Sequence, residues 1–185
     1  MNPKIRIVGG TYRSRNLALP PLDASVRPTQ EIVRKAVFSA LGENVSGTVL
    51  DLFAGSGAYG FEALSRGADK AYFNDLNKKC ADAVKKSAQT LGCSGKTVIT
   101  NLDYRIALER YARLGVKFDY VFLDPPYKEE INAKIVSRME ELSLLSGTAV
   151  LVLEQEEEVH LIEGYSFRSY AYSYKKVGIY RRIKA

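Results

Sequence analysis

The chain has 185 residues, 46% of them hydrophobic and 26% charged, values of a globular protein long enough to bury a core in one domain. One histidine, His160, excludes a His-rich metal site, and a Ser-His-Asp triad would have to use that residue. No apolar run approaches the roughly 20 residues of a membrane span, MNPKIRIVGG lacks the apolar stretch of a secretory signal, and Cys80 and Cys93 lack metal-ligand spacing, so a reduced cytoplasmic chain without metal is expected.

In chain order, KIRIVGGTYRSRNLALP (residues 4–20) reads as two short alternating strands around Gly9 and Gly10, a hairpin, and ASVRPT (24–29) as a turn. Ile32, Val33, Ala36, Val37, Ala40 and Leu41 keep helical spacing, with Thr29 as N-cap, Glu31 in the first turn and Gly42 as the stop. After Gly47 the rhythm changes. TVLDLF (48–53) is a buried strand, followed by a glycine loop and a helix to about Arg66. KAYFND (70–75) is a second strand, and KKCADAVKKSAQTLG (78–92) a helix ending at Gly92. KTVITN (96–101) is a third strand, before a helix from about Tyr104 to Leu114. FDYVFLD (118–124) is the fourth, EEINAKIVSRMEEL (129–142) a helix with Ile131, Ile135, Met139 and Leu142 on one face, and TAVLVLE (148–154) the fifth strand. Apolar strands alternating with helices give a parallel sheet covered on both faces. The last stretch, YSFRSYAYSYKKVGIYRRI (165–183), alternates and reads as two further strands in an antiparallel hairpin with its turn at Lys175 to Gly178; Tyr170, Tyr172 and Tyr174 share one side as sheet packing. The expected architecture is α/β with seven strands, mostly parallel, and the chain divides into a basic extension over residues 1–27 and a main domain over 28–185.

The net charge of +6 is uneven. Residues 1–35 carry Lys4, Arg6, Arg13, Arg15, Arg27, Arg34 and Lys35 against Asp23 and Glu31, and residues 165–185 carry Arg168, Lys175, Lys176, Arg181, Arg182 and Lys184 with no acid. Basic ends around a balanced middle suggest a polyanion, most simply a nucleic acid.

VLDLFAGSGAYG places Gly55, Gly57 and Gly60 between a strand and a helix, a G-x-G-x-x-G pattern that is weak evidence by itself. Such glycines allow close approach of backbone to ligand and of helix to sheet. Asp75, at the end of the second strand, can accept both ribose hydroxyls of an adenosine-type ligand, NAD and S-adenosylmethionine alike. Asp51, within the first strand, sits badly beside a pyrophosphate and well near the ammonium of a methionine moiety. Asp103, in TNLDY, can accept from an adenine amino group. With Asp124, four acids end the first four strands on the carboxyl edge, where open α/β sheets bind ligands. Taken singly, each is equally a helix N-cap or a turn residue.

The fourth strand runs directly into Asp124, Pro125, Pro126 and Tyr127. A carboxylate and a rigidly held carbonyl form a pair of acceptors; an exocyclic aromatic amine is a pair of donors and a poor nucleophile. If Asp124 and the Pro125 carbonyl each accept one N–H, the nitrogen is oriented and its developing positive charge stabilised. Tyr127 can stack on a flat base. A paired base must leave its stack to reach such a pocket.

These motifs, VLDLFAGSGAYGFEALSRGA, FNDLN, TNLDY and FLDPPY, resemble class I S-adenosylmethionine-dependent methyltransferases with an amino-directed [DN]PP[YFW] motif. RIVGGTYRSRNLALP followed by RPTQEIVRKAVFSAL narrows the resemblance, from Lys4 to about Ile183, to the RsmD family of bacterial 16S ribosomal RNA guanine-N(2) methyltransferases. The resemblance implies a Rossmann-like fold and methylation of 16S rRNA, free or in an assembling small subunit; a monomer is the default expectation. It implies S-adenosylmethionine contacts at Asp51, Ala54, Gly55, Gly57, Asp75, Leu76, Asp103 and Tyr104. It places target-amine chemistry at Asp124, Pro125, Pro126 and Tyr127, and RNA contacts at Arg13, Arg15, Arg27 and Tyr127. The second-strand acid is often Glu in such enzymes; here it is Asp75. Three other readings stand beside it: a DNA or RNA adenine amino-methyltransferase, an NAD-dependent oxidoreductase, and a non-catalytic RNA-binding module.

Overall fold

The computed structural model describes residues 4–21, 31–42, 44–126, 131–155, 161–172 and 175–183. The elements are α1 (Glu31–Leu41), β1 (Thr48–Asp51), α2 (Ala58–Ser65), β2 (Lys70–Asn74), α3 (Lys78–Leu91), β3 (Thr97–Thr100), α4 (Tyr104–Arg113), β4 (Phe118–Leu123), α5 (Ile131–Glu141), β5 (Leu145–Gln155), β6 (Tyr165–Tyr172) and β7 (Lys175–Arg182). They form one seven-stranded sheet in the order β3-β2-β1-β4-β5-β7-β6. The first five strands pair in parallel, and β7 runs antiparallel to both β5 and β6. The strand order reverses between β1 and β4, so the crevice of an open α/β sheet opens at their carboxyl ends.

Alternate strand residues feed two cores, as the period of two requires. Val49, Phe73, Phe122 and Val152 join Phe38, Phe61 and Val84 on one face. Leu50, Tyr72, Val121 and Leu151 join Leu108, Tyr111 and Met139 on the other. Helix ends follow their local chemistry. Asn77 caps α3 by accepting from Lys79 N, and Gly92 ends it in the left-handed region at φ 71°.

The N-terminal hairpin exists in minimal form. One antiparallel bridge joins Arg6 to Asn16, and the turn passes Gly10 at φ 73° and Ser14 at φ 66°. Ile5, Ile7 and Leu17 are buried in the first core. The backbone is fastened to α2 through Val8 N–H to Glu62 Oε2 (2.8 Å) and Tyr12 N–H to Ser65 Oγ (2.8 Å), and to α3 through Ala18 N–H to Ser87 Oγ (2.9 Å).

At the other end the turn is misplaced by the sequence reading. Lys175 to Gly178 lie inside β7, where Gly178 pairs with both Leu153 and Ser169 and Lys175 pairs with Tyr172. A Lys-Lys-x-Gly string looks like a breaker, but Lys175 has the buried Glu154 carboxylate to face and lies in the strand. Tyr170 and Tyr172 share a face as expected, their rings 6.5 Å apart and nearly parallel. The turn at residues 24–29, the Thr29 cap, Arg27, Tyr127, His160 and Tyr174 lie outside the described residues. Among the described residues no helix is long and apolar enough to cross a membrane.

Candidate active site

The sheet brings Asp51, Asp75, Asp103 and Asp124 to one edge. Asp51 is the last residue of β1 and pairs in register with Phe122, two residues before Asp124. Asp75 and Asp124 directly follow β2 and β4, and Asp103 starts the turn into α4.

Helix α2 begins at Gly57 (φ 77°), which has no side chain to cap it. Asp51 supplies the missing acceptor: its Oδ2 receives the N–H of Gly60 at 3.0 Å. That contact requires α2 to lie close to the sheet. A Cβ on Gly60 would stand 2.2 Å from a ring carbon of Phe73, and one on Gly57 2.8 Å from the Phe61 ring. These two glycines therefore serve packing. Gly55 differs: at φ 55° its Cβ would meet nothing within 4 Å, so it opens onto free space at the rim. Asp51 is only 4% exposed. Burial pushes its carboxyl up to about 8; the Gly60 N–H opposes the rise, and the carboxylates of Asp124, Asp75 and Glu154 add to it.

Asp75 is held by backbone. Its Oδ2 accepts from Gly55 N–H and its Oδ1 from Asn77 N–H, both at 2.8 Å. A carboxylate offers about four lone-pair sites, so two remain for hydroxyl donors. Asn101 Nδ2 donates to the carbonyls of Asp75 and Leu76 at 2.8 Å each, fixing the backbone beneath Leu76, whose side chain is exposed. Asp103 takes the cap role: it accepts from Arg105 N–H (2.9 Å), and the Arg105 guanidinium grips both its oxygens at 2.9 and 3.0 Å. Those hydrogen bonds hold its carboxyl below the usual range. Tyr104 packs on Phe53 with ring centroids 5.6 Å apart, and Ala54 is buried at the loop's base.

Beside Asp124 the structure adds residues that sequence reasoning missed. Lys175 Nζ reaches Asp124 Oδ1 (3.1 Å) and Oδ2 (3.3 Å) and Glu154 Oε2 (2.7 Å). Glu154 Oε1 accepts from Tyr59 OH at 2.5 Å, and its backbone carbonyl from Asn132 Nδ2 at 3.1 Å. Glu154 is a fifth acid on the same edge, visible as the polar end of TAVLVLE. Lys175 left no comparable signal. Asn74 was missed as well: buried, it donates to the Leu52 and Leu102 carbonyls and accepts from Thr100 Oγ1, tying together the loops after β1, β2 and β3.

Of the expected RNA-contacting residues, Arg13 and Arg15 lie among the described ones and are exposed on the N-terminal turn, Arg15 donating to the Thr90 carbonyl at 3.0 Å. Several basic residues serve the fold instead. Arg34 is 1% exposed and donates to the Arg6 carbonyl, and Arg182 holds the Ser146 carbonyl and Glu140.

Taken together, three carboxylates, one of them buried and reluctant to ionise, surround an open glycine corner at the strand-order reversal. That acceptor set fits a ligand bearing positive charge and hydroxyl groups, as S-adenosylmethionine does, and opposes a dianionic pyrophosphate.

Comparison with known proteins agrees. The family described as Conserved hypothetical protein 95 matches residues 5–180. The chain is 35% identical to Ribosomal RNA small subunit methyltransferase D of Haemophilus influenzae, over 86% of this chain and 82% of that one. It is 33% identical to the Escherichia coli protein of the same name, over 84% and 76%. The solved structure of yhhF from Escherichia coli superposes with a TM-score of 0.82 at 25% identity, covering 99% of this chain and all of that one.

Proposed function

The chain belongs to the family described as Conserved hypothetical protein 95, and from that premise we propose that it methylates the exocyclic 2-amino group of a guanine in 16S ribosomal RNA. That it is an S-adenosylmethionine-dependent methyltransferase of small-subunit ribosomal RNA rests on the relatives and the shared fold. The choice of an amine rests on Asp124 and Pro125, standing where β4 ends beside the acids of the cofactor rim. The choice of guanine rests on the family resemblance, because this acceptor pair suits any exocyclic aromatic amine.

When bound, S-adenosylmethionine supplies a methyl group on a positively charged sulfur. Asp51 faces its ammonium end, Asp75 accepts from its ribose hydroxyls, and Ala54, Gly55, Gly57, Leu76, Asp103 and Tyr104 line the remainder. Asp124 and the Pro125 carbonyl accept the two N–H groups of the base, which orients the nitrogen lone pair and offsets the positive charge that grows on nitrogen as it attacks. Pro126 stiffens the loop, and Tyr127 stacks on the base. No covalent enzyme intermediate is needed. The extension over residues 1–27, with Arg13, Arg15 and Arg27, meets RNA phosphate while the domain over 28–185 carries the chemistry; the enzyme works in the cytoplasm as a monomer.

The observation that carries this reading is the meeting of Asp124 with Asp51 and Asp75 at the strand-order reversal. Methyl transfer from tritiated S-adenosylmethionine to small-subunit particles, naked ribosomal RNA and duplex DNA tests it. Label in guanine of particles or RNA is expected; label confined to DNA adenine overturns it.

A further inference from the structure

Lys175 sits between two carboxylates that arrive from different strands. Asp124 comes from the end of β4, with 27% of its side chain exposed, and Glu154 from β5, with 1%. The charged and titratable groups that bear on this corner are Tyr59 from α2, Asp51 from β1, Asp75 from β2, Asp124, Glu154, Lys175 from β7 and, facing Glu154 and Tyr59, Arg34 from α1. Four of the rim's five acids crowd this corner, where like charges repel one another. Lys175 is the cation in hydrogen-bonding contact with two of them.

The contacts are uneven in a useful way. Glu154 is fixed three times, by Tyr59 OH, by Lys175 Nζ and through its backbone carbonyl by Asn132. It therefore anchors the ammonium, and the ammonium in turn reaches both oxygens of Asp124. Burial alone would pull the Lys175 pKa down, but Asp124 and Glu154 more than offset it, so the group stays charged.

We propose that Lys175 is a positioning residue for methyl transfer: anchored on buried Glu154, it holds the Asp124 carboxylate in one orientation at the rim. This rests on the reading of Asp124 as the amine acceptor.

The test is kcat and KM on ribosomal RNA, beside S-adenosylmethionine affinity by calorimetry, for wild type, Lys175→Met, Lys175→Arg and Asp124→Ala. Lys175→Met is expected to lower kcat by about 10- to 100-fold, the usual loss when a reacting group is misplaced, while KM for RNA and cofactor affinity stay within a few-fold. Lys175→Arg, which keeps a cation at the same place, should recover most of kcat. A Lys175→Met enzyme with wild-type kcat and a raised KM for RNA would mean that the lysine meets phosphate, and overturns the inference. Asp124→Ala separates the two levels: if it retains turnover, the amine reading fails; if it loses turnover while Lys175→Met keeps the wild-type kcat, only the lysine inference fails. Should Lys175→Met not fold, Glu154→Gln decides: with the anchor weakened kcat should fall at unchanged KM, and an unchanged kcat overturns the proposal.

Discussion

The two halves of the rim hold their acids in opposite ways. On the half formed by β1, β2 and β3, each carboxylate is held by backbone N–H groups of the adjoining loops and helix starts: Asp51 by Gly60, Asp75 by Asn77 and by Gly55 of the neighbouring loop, and Asp103 by Arg105. On the half formed by β4, β5 and β7, Asp124 is met by Lys175, 51 residues away. Local bonds preset a binding surface through the backbone. A distant side chain sets an orientation, and it can be replaced without moving the backbone.

The largest effect expected is at Asp124. Asp124→Ala should lower kcat by about 100- to 1,000-fold, the usual loss when a preorganised partner of developing charge is removed. S-adenosylmethionine affinity measured by calorimetry should stay within a few-fold, because the cofactor half keeps its own bonds. A collapse of cofactor affinity would erase the distinction between the halves.

Gly60→Ala probes the packing that lets Asp51 reach α2. The new Cβ would fall 2.2 Å from Phe73, and overpacking of this kind costs about 1–3 kcal/mol. The melting temperature should drop by roughly 2–10 °C at this chain length. An unchanged melting temperature would show that α2 has room to move.

Asp51 gives the cofactor half a pH signature. In the unfolded chain its carboxyl ionises near 3.8; in the folded protein burial raises it to about 8. Between those values the folded state keeps a proton that the unfolded chain has lost, so stability without ligand falls as pH rises through that window. Asp51→Asn should flatten the fall, seen as melting temperatures that vary less between pH 5 and 8. Equal slopes in both proteins would mean that Asp51 ionises normally in the fold.

Much of this was legible in the sequence, and the reason is locality. The five parallel strands and their helices follow from short apolar runs such as AVLVL (149–153) and from stops such as Gly92, which act within a few positions. The acids at the strand ends were visible for the same reason, and so was the plain alternative for Asp103, which does cap α4. What escaped depends on contacts across the sheet. Lys175 looked like part of a turn because its carboxylate partners lie 21 and 51 residues away. Arg34 looked like a surface cation, yet it is buried against the Arg6 carbonyl. Asn74 gave no sign that it joins three loops, because those loops meet only once the strands have paired.

The smallest effect is expected at Asn101, which supports the backbone of Asp75 and Leu76 from an exposed position. Asn101→Ala should weaken S-adenosylmethionine binding by about threefold, in keeping with the modest net worth of exposed hydrogen bonds, and leave kcat unchanged. A drop in kcat instead would place Asn101 on the chemical half of the rim.

The most direct measurement is mass spectrometry of nucleosides from small-subunit ribosomal RNA methylated by the purified enzyme, wild type beside Asp124→Ala. The expected result is N2-methylguanosine with the wild type and a near-complete loss of it with the variant. Methyl groups on adenine, or equal N2-methylguanosine from both proteins, would contradict the assignment of the guanine amine to Asp124.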